Sequence, residues 1–407
     1  MKLNVLFAIL LLSLSSLAQT LIDTSGGRYW NPLFPNVTVT SNVLYGSATN
    51  VNNAVQNLSL DVYEPTGDTV LFRPLLVFAH GGSFIFGTKN DQDVTELCTR
   101  FAKMGYVCAS IDYRLGMGLP LDSINAGRAV IRATQDLKAA IRFFRKDFAM
   151  GNNYRIHPDY IFAGGSSAGA FTALHLAYMD SAEVPPYLNI ANLGGIDGAS
   201  GNPGYPSNVL GVINLCGALT DSSWIQPGDI SFVSMHGNVD QTVPFGSAMI
   251  FVFSFPIAVI DGSASLHIRA TNVGVNNPFY TWWGADHVPY SGTGAAAVAY
   301  MDTTVDFVKA FLRPYFGIPP LGILETDADH TISIYPNPAT NQVMIHLSGT
   351  PLSKAHVWIT DAAGRNVALF EMQDQNLAVD ASKFAKGMYI LRLAMEQKTI
   401  TRKLILE

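Results

Sequence analysis

The run Tyr160-Ile161-Phe162-Ala163-Gly164-Gly165-Ser166-Ser167-Ala168-Gly169-Ala170 is a short apolar stretch that ends in Gly-x-Ser-x-Gly and leads into a helix-forming segment. No other feature constrains the chain as tightly, because it demands a strand, a sharp turn and a helix in that order. A serine at the apex of such a turn sits in strained backbone, and Gly165 and Gly169 are required where a side chain would strike the neighbouring strand and helix. Ser167 is therefore a candidate nucleophile. The helix it opens, Ala168 to about Met179, aims its first amides and positive dipole end at the place where an oxyanion would form. Five residues with three fixed also arise by chance in glycine-rich loops, so the neighbouring segments decide the matter.

Upstream, Pro74-Leu75-Leu76-Val77-Phe78-Ala79 is a continuous apolar run of the kind that forms a strand buried on both faces. It ends in His80-Gly81-Gly82-Ser83-Phe84, where paired glycines let the chain turn its amides inward. Gly82 and Ser83 are then candidate oxyanion donors alongside Ala168. A serine hydroxyl attacks only when a base removes its proton, and the base needs an acid to fix its tautomer. Downstream, the strand-like run 230–235 precedes His236-Gly237-Asn238-Val239-Asp240, and Phe279-Tyr280-Thr281-Trp282-Trp283 precedes Gly284-Ala285-Asp286-His287. The order Ser167, Asp240, His287 is the one expected along an α/β sheet whose catalytic loops share one edge.

Nine histidines and several acids compete for these roles. His80 belongs to the oxyanion loop, His236 is expected to bond backbone and shape the loop of Asp240, and His175 sits on the helix after the elbow as a packed or exposed residue. His157, His267, His330, His346 and His356 lie away from any acid motif. Asp286 is the main rival acid, but a neighbour on the same turn usually points away from the histidine; Asp261 and Asp221 are weaker rivals.

With these residues in hand, positions 55–315 resemble the carboxylesterase and feruloyl or acetyl-xylan esterase branches of the α/β-hydrolase family. The resemblance rests on His80-Gly81-Gly82-Ser83-Phe84, Ile111-Asp112-Tyr113-Arg114-Leu115, Pro158-Asp159-Tyr160-Ile161 before the elbow, and the loops of Asp240 and His287. Many relatives carry a third glycine where Ser83 stands, although a backbone donor does not depend on its side chain. The resemblance implies a mostly parallel sheet flanked by helices, a Ser-Asp-His triad, an ester substrate and no cofactor or metal. A peptidase of prolyl-oligopeptidase type shares the elbow but commonly uses a tyrosine hydroxyl as oxyanion donor, and a non-catalytic adhesion protein on this scaffold typically loses a triad member.

Leu137, Ala140, Ile141 and Phe144 recur at helical spacing and predict an amphipathic helix over 135–146. Asp112, Tyr113 and Arg114 are expected to form a buried polar network under the oxyanion loop. The Gly- and Asn-rich stretch 192–207 is a long loop that suits a lid or an inert connection. Phe84, Phe86, Trp224, Trp282, Trp283 and Tyr290 fall near the site and favour an apolar or aromatic substrate group, or serve as core.

At 407 residues the chain exceeds one average domain, and 25 basic against 31 acidic residues give no footprint for nucleic acid or an anionic membrane. Lys2, an apolar run from Val5 to Leu12 and Ser16-Leu17-Ala18-Gln19 predict a signal peptide over 1–18, with no later transmembrane segment. Export makes a disulfide chemically open, and Cys98 on a helix could face Cys108 on the next strand; Cys216 reads as a small buried hydrophobe.

The hydrolase region is expected to span 19–317, with a linker over 318–328. Beyond it short alternating strands predict a small all-β sandwich over 329–407. That segment resembles the C-terminal sorting domain of type IX secretion cargo, through Ile334-Tyr335-Pro336-Asn337-Pro338-Ala339, Asp361-Ala362-Ala363-Gly364-Arg365, Gly387-Met388-Tyr389-Ile390-Leu391 and the basic finish at Lys398, Arg402 and Lys403. The resemblance implies contact with secretion machinery and a secreted or cell-surface location. A carbohydrate-binding module is the competing reading, and its usual cluster of exposed aromatics is reduced here to Trp358.

Overall fold

The computed structural model describes residues 22–317, 330–349, 355–361, 365–372, 374–395 and 398–407. The predicted signal peptide and linker lie outside these residues. The first part is built on an eight-stranded sheet in the order β1-β2-β4-β3-β5-β6-β8-β11. Its strands are β1 (Val37–Thr49), β2 (Val55–Pro65), β3 (Arg73–Ala79), β4 (Val107–Ile111), β5 (Ile156–Ser166), β6 (Gly211–Leu215), β8 (Ser231–Gly237) and β11 (Phe279–Trp282). β1, β2 and β4 pair antiparallel, and every pairing from β4 to β11 is parallel.

Period-two alternation divides the core between the two faces of this sheet. Leu75, Val77 and Ala79 of β3 pack on one side with α2 (Ser123–Ala149), α3 (Ala168–Tyr178) and α4 (Ser263–Asn272). Leu76 and Phe78 pack on the other with α1 (Gln92–Lys103) and α5 (Ala295–Leu312). Because both faces are covered, the central strands carry no polar face, which is why β3 reads as one unbroken apolar run.

α2 starts twelve residues before the expected helix at 135. Its early turns hold buried Ala126, Ala129 and Ile131 but also buried Arg132, and its later turns bury Gln135, Arg142 and Arg145, so the apolar stripe is diluted. Those polar side chains fix the loop 192–207: Gln135 donates to the carbonyls of Leu193 and Gly195 at 2.9 and 2.6 Å, and Arg142 to that of Gly201 at 3.1 Å. Ser200 is buried and donates to Asp136 at 2.5 Å. This loop is thus pinned onto α2. α5 begins through Ala295-Ala296-Ala297, a run of strong helix formers.

A second sheet of three antiparallel strands, β7 (Ala218–Leu219), β10 (Phe255–Gly262) and β9 (Ser247–Val252), stands apart from the first. Val252 pairs with Phe255, leaving Phe253 and Ser254 as a two-residue turn with φ of 48° and 70°. That conformation is normally filled by Asn-Gly. Cys98, Cys108 and Cys216 are all buried and free, so the Cys98–Cys108 pairing is not formed. The two thiols sit side by side in the core instead, where burial and the neighbouring thiol push that of Cys108 well up.

The described C-terminal residues form two antiparallel sheets around their own core of Val343, Ile345, Val357, Ile359, Leu391 and Leu404. One contains β12 (His330–Tyr335), β13 (Gln342–Gly349) and β16 (Asn376–Asp380). The other contains β15 (Asn366–Met372), β14 (Ala355–Asp361), β17 (Gly387–Met395) and β18 (Lys398–Leu406).

The elbow is among the tightest points in the first part of the chain. A Cβ on Gly169 would lie 1.9 Å from the Ala79 carbonyl oxygen, and one on Gly165 would lie 2.3 Å from the Gly169 carbonyl carbon. Gly169→Ala is expected to destabilise the protein by about 3 kcal/mol or more, because backbone must move apart. Gly294→Ala, with φ −69° and no atom within 4 Å, should change stability by less than about 1 kcal/mol. Thermal unfolding of the two variants checks the difference.

Candidate active site

The carboxyl ends of β3, β5, β8 and β11 deliver four loops to one edge of the sheet, the place where open α/β sheets bind ligands. Ser167 occupies the apex after β5 with φ 54° and ψ −118°, and its amide is held by the Leu215 carbonyl at 2.9 Å. Only glycine tolerates such backbone without strain, so the surroundings hold Ser167 there. Ser167 Oγ lies 2.9 Å from His287 Nε2, and His287 Nδ1 lies 2.6 Å from Asp240 Oδ2. A carboxylate only accepts, so Nδ1 carries the proton and Nε2 is left to accept from the Ser167 hydroxyl.

The Asp240 carboxylate is surrounded by donors. The amides of Thr242 and Val243 each reach Oδ1 at 2.8 Å, and His236 Nε2 lies 3.1 Å from Oδ2. Burial opposes its ionisation, but the hydrogen bonds from His236 and His287 outweigh burial and hold the carboxyl well below the usual carboxylate range. His236 does bond a backbone carbonyl, that of Val243 at 3.2 Å, and it also supports the acid directly. Its Nδ1 accepts from Ser263 Oγ at 2.8 Å, and Asn214 Nδ2 donates to that same oxygen at 3.0 Å. Asp286 instead ties the two loops together, accepting from the amides of Gln241 at 2.9 Å and His287 at 2.7 Å.

The loop after β3 lies against the apex: a Cβ on Gly81 would be 3.3 Å from that of Ser167. Gly82, Ser83 and Phe84 all have positive φ, at 102°, 54° and 60°. Hydrogen bonds among the described residues outside helices and strands leave the amides of Gly82, Ser83 and Ala168 unused. Below them Tyr113 donates to the His80 carbonyl at 2.9 Å and stacks on the His80 ring at 4.3 Å. Arg114 and Asp136 form a buried bidentate pair further in. Burial pushes the His80 imidazole below its ordinary value, which keeps a cation out of the loop.

From Ser167 a cavity of about 150 Å³ runs along α3 past Ala168, Phe171 and His175. Its far wall is the β9–β10 hairpin, through Ile250, Phe251, Val252, Ile257, Ala258 and Ile260. This hairpin is the element that motif reading passed over. It contains no motif, and its one signal is the absence of any charged residue from Thr242 to Ile260. No residue of the loop 192–207 lines the cavity. His175 is buried, with Nδ1 donating to the Phe171 carbonyl and Nε2 accepting from Thr220, both at 2.8 Å. Burial lowers its imidazole to about 4, so it is a neutral polar group in an otherwise apolar slot.

Phe84 and Trp224 line the cavity, whereas Trp282 and Tyr290 are core residues, the latter meeting Ser166 Oγ at 2.7 Å. Trp283 stacks on Tyr335 of the C-terminal part, with ring centres 5.3 Å apart. Cys216, Asp240 and His287 bring possible metal-ligating atoms within 4.8 Å of one another. Burial pushes the Cys216 thiol far up, so this group offers a neutral thiol and a histidine already committed to its acid.

The fold is that of an esterase-like α/β-hydrolase. Residues 60–196 match the BD-FAE family, and residues 333–407 match the secretion system C-terminal sorting domain. The fold is similar to that of an esterase from the planctomycete Thermogutta terrifontis with propionate bound, at 20% identity and a TM-score of 0.51, over 71% of this chain and 97% of that one. The butyrate-bound form of that enzyme gives a TM-score of 0.50 at 20% identity, over 71% and 97% of the two chains. No curated protein sequence matches the chain. The chain therefore joins an esterase-like hydrolase region to a type IX sorting domain, and that domain marks a secreted or cell-surface protein. No helix among the described residues is long and apolar enough to cross a membrane.

The Asp240 carboxyl titrates lower in the folded chain than in the unfolded one, so its contribution to stability is complete above the unfolded value near 4 and is lost as pH falls toward the depressed folded value. Acid unfolding of Asp240→Asn should accordingly show a shallower loss of stability below pH ~4 than the parent.

Proposed function

We propose that this chain is a secreted serine carboxylic ester hydrolase in which Ser167, His287 and Asp240 act as nucleophile, base and orienting acid. The observation that supports this most is the continuous hydrogen-bonded line from Asp240 through His287 to Ser167 at the mouth of an apolar cavity. Ser167 Oγ attacks the ester carbonyl while His287 Nε2 takes its proton. The amides of Gly82, Ser83 and Ala168 stabilise the oxyanion, each worth about 10²–10³ in rate in comparable sites. Collapse of the tetrahedral intermediate breaks the bond to the alcohol, which leaves with the proton from His287. Water, deprotonated by His287, then attacks the acyl-serine, and the acid product departs. Asp240 stays ionised throughout and stabilises the imidazolium.

The cavity suits the acyl group. From Ala168 to His175 it follows seven residues of helix, roughly 10 Å at 1.5 Å per residue, with apolar walls and a His175–Thr220 polar pair toward its end. Such a slot fits an aliphatic or feruloyl-type acyl group better than acetyl. The bound propionate and butyrate of the Thermogutta esterase are in keeping with short apolar acyl groups. Butyrate esters should be hydrolysed with kcat/KM about tenfold above acetate, at ~0.8 kcal/mol for each added methylene buried. A panel of p-nitrophenyl esters run beside methyl ferulate and acetylated xylan checks this; a preference for acetylated xylan would contradict it.

Ser167→Ala should lower kcat by roughly 10⁴-fold or more with the fold intact. Asp240→Asn should cost around 10⁴-fold through the wrong His287 tautomer, and Asp286→Asn far less. Initial rates on a soluble ester separate the two acids. We further propose that 19–317 and 329–407 are separate domains joined by 318–328. Ending the chain at Gly317 should leave rates on soluble esters within about twofold, because the two parts have separate cores, while abolishing export in a type IX secreting host.

A further inference from the structure

Phe86, Phe251, Phe253 and Phe255 are each more than half exposed, and Met249 and Val259 of the same hairpin are 39% and 58% exposed. Isolated apolar side chains on a surface are ordinary, but these belong to one β-hairpin and the loop beside it, and Phe86 and Phe253 meet edge to face with centres 6.0 Å apart. β9 is moreover an edge strand, which proteins normally shield with charge or proline. Here no charged residue occurs from Thr242 to Ile260. The turn adds a second anomaly: Phe253 and Ser254 hold left-handed backbone that Asn-Gly would adopt without strain, so a bulky aromatic is kept at the tip against its local preference.

The occupant of this surface follows from its continuity and its chemistry. Ile250, Phe251, Val252 and Ile257 of the same hairpin line the cavity that begins at Ser167, so the apolar surface runs unbroken from outside into the slot. The absence of charge disfavours anionic headgroups and acidic or basic peptides, which need counter-charges. The phenylalanines lack the hydroxyl and indole N–H groups with which aromatic side chains bond sugar hydroxyls. We propose that the β9–β10 hairpin is a docking arm for water-insoluble ester, an aggregated or solid apolar phase from which single ester groups enter the cavity. This rests on the ester hydrolase reading and adds how the substrate is presented. Burial of Phe253 and Phe255 in that phase holds the cavity mouth against it.

The test compares the parent with two variants. Phe253→Asn/Ser254→Gly installs the preferred turn, so it removes the tip aromatic while favouring the hairpin. Adding Phe255→Thr removes a second aromatic and keeps strand propensity. Rates are read on p-nitrophenyl acetate in solution, on tributyrin below and above its solubility limit, and on insoluble acetylated xylan, with sedimentation of each protein alongside. The inference predicts p-nitrophenyl acetate hydrolysis within about twofold of the parent and an emulsion rate lower by about tenfold or more, since burying one Phe is worth at least that factor. Equal emulsion rates would overturn it, as would equal losses on the soluble and emulsified esters. A loss confined to xylan would assign the arm to polysaccharide, and a parent dimer that the variants dissociate would assign it to a second copy; either overturns the proposal. If the parent hydrolyses none of these esters, the ester reading itself fails, which is a separate outcome.

Discussion

The approach of α3 to β3 and β5 sets the geometry on which the site depends. Gly165 and Gly169 let the helix press against the Ala79 carbonyl with no side chain between them, and that contact holds Ser167 at φ 54°. Gly81 then passes against the Ser167 side chain. The strain at Ser167 is maintained by packing on both sides of the sheet, with buried Val77 and Ala79 below one face and Leu76 and Phe78 below the other.

Asp240 supplies the second constraint. A buried carboxylate is costly unless its lone pairs are filled, and here two amides and two imidazoles fill them. His236 is the less obvious of these partners. Its link through Ser263 to Asn214 connects the acid loop to the middle strands and orients the imidazole that faces Asp240. The Asp286 carboxylate performs a parallel task at the surface by joining the amides of Gln241 and His287. The acid and histidine loops are thus fixed to each other independently of the line from Asp240 to Ser167.

Much of this was legible in the sequence because backbone chemistry left fixed signals. Strand β5, the elbow and α3 follow from glycine spacing, and the loops of Asp240 and His287 follow from apolar runs ending in polar turns. What escaped reading had weak or mixed signals. β1 is a largely exposed edge whose Thr and Ser residues resemble loop, and the early turns of α2 mix alanine with buried arginine. β16 is short and exposed along most of its length. The loop 192–207 looked free because its anchors, Gln135 and Arg142, lie on a distant helix. The cavity's far wall escaped for another reason: a uniformly apolar segment such as 249–260 reads as core until the fold shows its outer face open to solvent.

The proposed role of Ser167 as the acyl-accepting nucleophile is open to reaction with a fluorophosphonate followed by peptide mass mapping. A single covalent adduct on Ser167 is expected, formed in step with the loss of ester hydrolysis and absent after prior unfolding. An adduct on another residue, or full hydrolysis by protein with modified Ser167, would contradict it.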